Sequence, residues 1–164
     1  MIAEYLIITT LFISNIDDRN VFTSTKAEET PTKQQAVDNI NDILKIARES
    51  VNNKREDLDI YFHFPLMVTS ASDDSNKLKK KVELYTSEDL KRNYEKVLNP
   101  TNIKLINCLN EKNLIYNRYE GFSAAFGGIW FTARYVGNDV KYKISSITTD
   151  IKTTEKWILN NCNK

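Results

Sequence analysis

A single histidine, two cysteines, four glycines and three prolines in 164 residues leave few ways to assemble a familiar catalytic centre. With His63 alone, a zinc site of several histidine ligands is excluded, and any Ser-His-Asp or Cys-His arrangement would have to use that one ring. No G-x-S-x-G elbow is present, Ser123 in GFSAAF not being one. Neither a P-loop nor a G-x-G-x-x-G occurs, so nucleotide binding has no motif behind it. A surplus of one charge is also missing: 23 basic and 22 acidic side chains give a formal charge of +1. That balance argues against a dedicated nucleic-acid binder, which needs excess cations to displace counterions from phosphates. The local exception is KLKKK, Lys77 to Lys81, read as a solvated turn, with an anion or acidic-partner contact as the alternative.

Long apolar runs are lacking too. YLIITTLFI, Tyr5 to Ile13, falls far short of the roughly 18 residues needed to span a bilayer, so no membrane span is expected. Its length suits the h-region of a secretory signal, and Thr25-Lys26-Ala27 offers a small-x-small cleavage pattern. Glu4 is the one charged side chain before the run, where a signal ordinarily carries Lys or Arg. Residues 1–27 are therefore expected to be a leader and 28–164 a single secreted or periplasmic domain. The alternative is a cytoplasmic protein whose N-terminal strand or helix packs on that domain.

The spacing of Cys108 and Cys162 is not that of a metal site, and no metal or other cofactor is expected. In an exported chain the pair would form one disulfide, worth about 4 kcal/mol in the chain-entropy model. In a cytosolic chain it would be two buried thiols.

What is present is pattern. ETPTKQQ places Thr32 three residues before Gln35, a capping box, with Pro31 beside it. Ala36, Val37, Ile40, Ile43, Leu44, Ala47 and Val51 recur at helical spacing up to Asn52-Asn53. In LDIYFHFPLMV the residues Leu58, Ile60, Phe62 and Phe64 alternate with Asp59, Tyr61, His63 and Pro65, the period of a half-buried strand that Pro65 confines to an edge or a break. VELYT predicts its hairpin partner. TSEDLKRNYEKVLNP predicts a helix capped at Thr86 or Ser87, with Leu90, Tyr94, Val97 and Leu98 on one face. Asn99 and Pro100 then open a short helix bearing Ile103, Ile106 and Leu109.

The remainder reads as β. Ile129, Phe131, Ala133 and Tyr135 point one way and Trp130, Thr132, Arg134 and Val136 the other. A two-residue turn within Gly137-Asn138-Asp139 pairs the first set with Val140, Tyr142 and Ile144, whereas a one-residue slip would set it against Lys141 and Lys143. Gly127-Gly128 predicts a bulge or tight bend. The expected fold is α+β: a curved antiparallel sheet, a cone or α+β roll, with the N-terminal and central helices on one face.

FHFPLMV, YTSEDLKRNYEKVLNP, YEGFSAAFGGIWF and YKISSI together resemble successive segments of secreted bacterial members of the nuclear transport factor two-like (SnoaL-like) superfamily, over roughly Thr32 to Ile147. The resemblance implies a conical sheet closed by helices around a pocket, and homodimers through the open sheet face. It implies no single activity, because that fold hosts isomerases, dehydratases, hydrolases and binding modules.

Isomerases of that superfamily pair a carboxylate base with a phenol and a protonated acid. Asp59, Glu83, Tyr61, Tyr94, Tyr116 and Tyr142 are the available parts, but none stands in a motif. No Asp or Glu occurs between Gly121 and Gly137 or between Val140 and Ile147, where a base would be easiest to place. Aromatic rings with polar tips suit wet apolar surfaces, so Tyr61, Tyr94, Trp130, Tyr135 and Tyr142 are candidates for ligand or partner contact as well as for core. Arg134 and His63 join them, and Trp130, Arg134 and Lys143 share the outer sheet face. The expected function is a non-catalytic, exported binding domain for a protein partner or small ligand, toxin neutralisation in the manner of an immunity protein included. The alternatives are a small-molecule isomerase or dehydratase using the cone pocket, and a structural or assembly component.

Overall fold

The computed structural model describes residues 39–52, 55–70, 80–117, 120–136 and 139–162. The leader, the capping box at Thr32, Ala36 and Val37, most of KLKKK, the Gly137-Asn138 turn and the side chain of Tyr135 lie outside the described residues.

Helix α1, Ile40–Asn52, buries Ile43, Leu44, Ala47 and Ser50. The expected apolar stripe forms the inner face, and the helix ends where its periodicity stops. A single helical turn, α2 (Leu58–Tyr61), leads into β1 (Phe62–Ser70). The alternation from Leu58 to Phe64 is thus only half a strand: Leu58 is buried as a helical residue and Ile60 is exposed. β1 pairs antiparallel with β2 (Lys80–Leu84), Leu66 opposite Leu84. Lys80 and Lys81 belong to this edge strand and not to a turn, which suits an edge that must resist further pairing.

Thr86 caps α3 (Ser87–Arg92) in a complete capping box with Asp89. Asn93 interrupts the expected continuous helix, and α4 (Tyr94–Val97) follows. Leu90, Tyr94, Val97 and Leu98 are nevertheless all buried. The Asn99 side chain caps α5 (Pro100–Cys108), accepting from the Asn102 backbone at 3.0 Å.

β3 (Ile115–Asn117), β4 (Gly121–Ala124), β5 (Ile129–Val136) and β6 (Asp139–Thr148) form a meander. The order across the single sheet is β2-β1-β6-β5-β4-β3. The fold is α+β as expected, but the sheet is mixed: β6 lies parallel to β1, with Phe62 opposite Ile144 and Val68 opposite Ile147. Pro65 falls between Phe62 and Met67, where that ladder is irregular, so β1 accommodates its proline at a break and not at an edge. In the β5–β6 hairpin, Val136 faces Asp139 and Phe131 faces Ile144, the register expected of a two-residue turn.

A helix absent from the sequence expectation ends the fold. α6, Ile151–Asn161, is capped by Asp150, whose side chain accepts from the Thr153 backbone, and buries Thr154, Trp157 and Ile158. Cys108 and Cys162, at the C-terminal ends of α5 and α6, are disulfide-bonded with Cα atoms 5.5 Å apart.

Phe62, Phe122, Phe131 and Tyr142 are among the largest fully buried side chains, each Phe adding about 1.5–3 kcal/mol by burial. The Phe122 ring meets Tyr142 edge-on at 5.6 Å and Tyr116 tilted at 5.3 Å. Polar order within this core comes from Asn102, 1% exposed. Its amide donates to the carbonyls of Val97 and Thr148, both at 2.7 Å, tying the helices to the end of β6. Replacing Asn102 with Ala leaves two buried carbonyls without that donor, and chemical denaturation is expected to show a loss of about 2–4 kcal/mol. A loss below about 0.5 kcal/mol would show that the bridge is not structural.

Candidate functional site

Strand alternation divides the expected contact residues between the two faces of the sheet. On β5, Ile129 and Phe131 are buried against the helices while Trp130, Thr132 and Arg134 lie on the opposite, outer face. On β6, Tyr142 and Ile144 are inside and Lys141 and Lys143 outside. His63 follows inward-facing Phe62, so it stands on the outer face beside Lys143.

Tyr142 is 2% exposed and belongs to the core. Tyr94 is also core: its hydroxyl donates to the Ser50 carbonyl at 3.4 Å, and the Arg55 guanidinium lies 5.0 Å from its ring centre. Burial pushes the Tyr94 phenol up, against the opposing pull of Arg55. Tyr61 is half-buried at the core margin. Of the seven expected contact residues, His63, Trp130 and Arg134 therefore share the outer face, Tyr61, Tyr94 and Tyr142 pack in or against the core, and the side chain of Tyr135 lies outside the described residues.

At the centre of the outer face Glu120, Trp130, Thr132, Ser145 and Ser146 line an open depression of about 380 Å³. It arises from a register shift. Phe131 pairs with Ile144 but Trp130 pairs with Ser146, leaving Ser145 as the extra residue of a bulge. The Ser145 and Thr132 hydroxyls are 2.6 Å apart, and Ser145 also donates to the Trp130 carbonyl at 3.4 Å. The expected tight bend sits beside this depression: Ala125, Phe126 and Gly127 all have positive φ, and Gly128 N–H donates to Ala125 C=O at 2.9 Å. A Cβ on Gly127 would come within 3.2 Å of the Trp130 indole nitrogen, so the bend rests against that ring. Phe126, at the tip, is 73% exposed. Strand alternation does not single it out; the signal available in the sequence is a phenylalanine directly before the Gly127-Gly128 bend.

The carboxylates speak against a buried base. Asp59 and Glu83 are exposed, Glu83 accepting from the Tyr85 hydroxyl at 2.9 Å. Asp42 and Glu49, which with Lys141, Tyr142 and Lys143 line a depression of about 250 Å³ between α1 and the β5–β6 hairpin, are exposed as well. Among the described residues the buried carboxylate is Asp150. Its oxygens accept from the Thr153 backbone at 3.2 Å and hydroxyl at 2.8 Å, so it is occupied as a helix cap. Among the described residues no three His, Cys, Asp or Glu side chains are grouped to hold a metal ion, and no helix is long and apolar enough to cross a membrane.

No protein-family model, curated protein or solved structure matches the chain.

Partial burial lowers the His63 pKa from its ordinary 6.5, and the Arg134 and Lys143 charges lower it further, against backbone hydrogen bonding that raises it. The folded chain thus resists a proton that the unfolded chain accepts near 6.5. The contribution of this group to stability is present above that value and is lost as pH falls through the lower folded pKa. NMR titration should place the His63 midpoint below 6.5, and Arg134→Ala should move it up. An unmoved midpoint would show that Arg134 does not set it.

Proposed function

We propose that the protein is an exported, non-catalytic binding domain of the nuclear transport factor two-like class, which meets a protein partner through the outer face of its sheet. The observation that carries this reading is the outer-face arrangement itself: a half-buried Trp130 lining an open depression between β5 and β6, with an exposed Phe126 in the adjoining turn. Aromatic anchors with a polar margin are where interface energy concentrates, and a preformed surface loses little entropy on association. A neutralising role toward a toxin fits such a surface, as does a homodimer through the same face.

The class assignment is supported by the element order, in which helices, a hairpin, further helices and a meander place the helices on one side of an open sheet. Export is supported by YLIITTLFI together with the Cys108–Cys162 bond, since disulfides persist in oxidising compartments. The enzyme reading requires a sheltered carboxylate near a phenol. Its available acids, Asp59, Glu83, Asp42 and Glu49, are all exposed.

Two measurements test this. A photo-crosslinking residue at position 132 should yield a discrete adduct in producing cells, one at position 152 on α6 should not, and Trp130→Ala should reduce the adduct without unfolding the domain. Loss of folding in Trp130→Ala with an unchanged adduct would remove the interface. Intact mass of the natively produced protein should show cleavage near Ala27 and thiols that react only after reduction. A full-length chain with two free thiols would end the export reading.

A further inference from the structure

Resting on the outer-face reading, we infer that the end of this face formed by Arg134, Lys141, Lys143 and His63 docks an acidic segment of the protein partner. Arg134 stands directly opposite Lys141, and Lys143 opposite Thr132, in the β5–β6 ladder. Like charges directly opposite each other in an antiparallel pair oppose sheet stability. A sheet selected only for stability would place an acid at one of these positions.

Among the described residues no carboxylate lies within ion-pair distance of Arg134, Lys141 or Lys143. Lys143 donates to the backbone carbonyl of Asp59, not to its carboxylate. Glu120 is near Trp130 in the central depression and accepts from the Asn117 side chain at 3.2 Å; at the hairpin end exposed Asp139 alternates onto the same face as Lys141 and Lys143, so the cations there outnumber the acid. His63 borders the group from β1 as an uncharged ring, since burial and the Arg134 and Lys143 charges lower its proton affinity. The concentration is local, because the chain as a whole carries a formal charge of only +1. That small total favours an acidic protein segment over nucleic acid, whose binding needs many neutralised phosphates. An acidic partner would bind faster and in better register, as charge complementarity governs encounter and orientation more than final affinity.

The probe is soluble poly-L-glutamate, added to the full chain at low salt, with tryptophan fluorescence as the readout. Of the two tryptophans Trp157 is buried at 5% exposure, so a change on binding reports on Trp130. Poly-glutamate should shift the emission with an affinity that falls as salt rises. The double variant Arg134→Glu/Lys141→Glu should bind at least about tenfold more weakly. Lys152→Glu, a reversal of an exposed charge on α6, should bind as the parent does, and circular dichroism should show all three folded. No binding by the parent, equal binding by the double variant, or tighter binding of a DNA duplex than of poly-glutamate would overturn the proposal. If the crosslink from position 132 persists while poly-glutamate fails, only the acidic chemistry falls; if both fail, the outer-face reading falls with it.

Discussion

The parallel pairing of β6 with β1 is the constraint on which the rest of the structure depends. It joins a local hairpin to a local meander in one sheet. Because parallel neighbours need a long connection, β2, α3, α4, α5 and the first three strands of the meander must all be routed between them. The far end of the pairing is fixed by Thr69. Its carbonyl accepts from the Thr149 backbone at 2.7 Å and from the hydroxyls of Thr148 and Thr149 at 3.3 and 3.2 Å. One residue back along β6, the carbonyl of Thr148 takes the Asn102 amide, so strand pairing and helix docking close at the same place. Asp150 then starts α6, and the disulfide holds the far ends of α5 and α6 together.

That pairing forces irregularity, and the irregularity shapes the outer face. Between Phe62 and Met67, β1 advances five residues while β6 advances two, from Ile144 to Ser146. Phe62, Leu66 and Val68 can all remain buried across this stretch, with Pro65 exposed within it. The Ser145 bulge does the corresponding work on β6. It lets Ile144 and Ile147, three residues apart, both face the core, which strict alternation would forbid. The two serines left outside form the floor against which Thr132 and Trp130 stand. Core registry and the candidate site are therefore products of one local device.

This also explains what could be read in advance. Capping at Thr86 and Asn99, the α1 stripe and the β5–β6 register depend on neighbours a few residues apart, and local chemistry specifies them. The Leu58–Tyr61 turn, the break at Asn93 and the parallel ladder depend on contacts with distant elements, which override local period. α6 was legible in principle from Asp150, Trp157 and Ile158. Its first turn, however, carries β-branched Ile151, Thr153 and Thr154, which favour a strand continuing from β6. At the site, alternation placed Trp130, Arg134 and Lys143 correctly on one face. It could not distinguish Tyr142 as core from Tyr142 as contact, because an aromatic residue of a half-buried strand suits either role.

The turn beside Trp130 concentrates the physical case for that face. Ala125 and Phe126 have φ of 52° and 55°, a region that costs non-glycine residues roughly 1–2 kcal/mol each. The surroundings hold it there. Ala125 is buried, Gly128 bonds back to Ala125, and Thr148 donates to the Gly128 carbonyl at 2.7 Å. A Cβ on Gly128 would meet the Ala125 carbonyl oxygen at 2.9 Å, so the close approach within the bend requires glycine there. Burial of Phe126 cannot account for this strain, since among the described residues its ring is the most exposed of the large apolar side chains. What the strained backbone achieves is an exposed Phe126 in the turn whose Gly127 rests against the Trp130 ring. In the proposed interface an aromatic margin at one end and an excess of cations at the other would divide the labour of recognition. If that interface forms, the cations would orient an approaching partner and the rings would supply the desolvated contact that holds it.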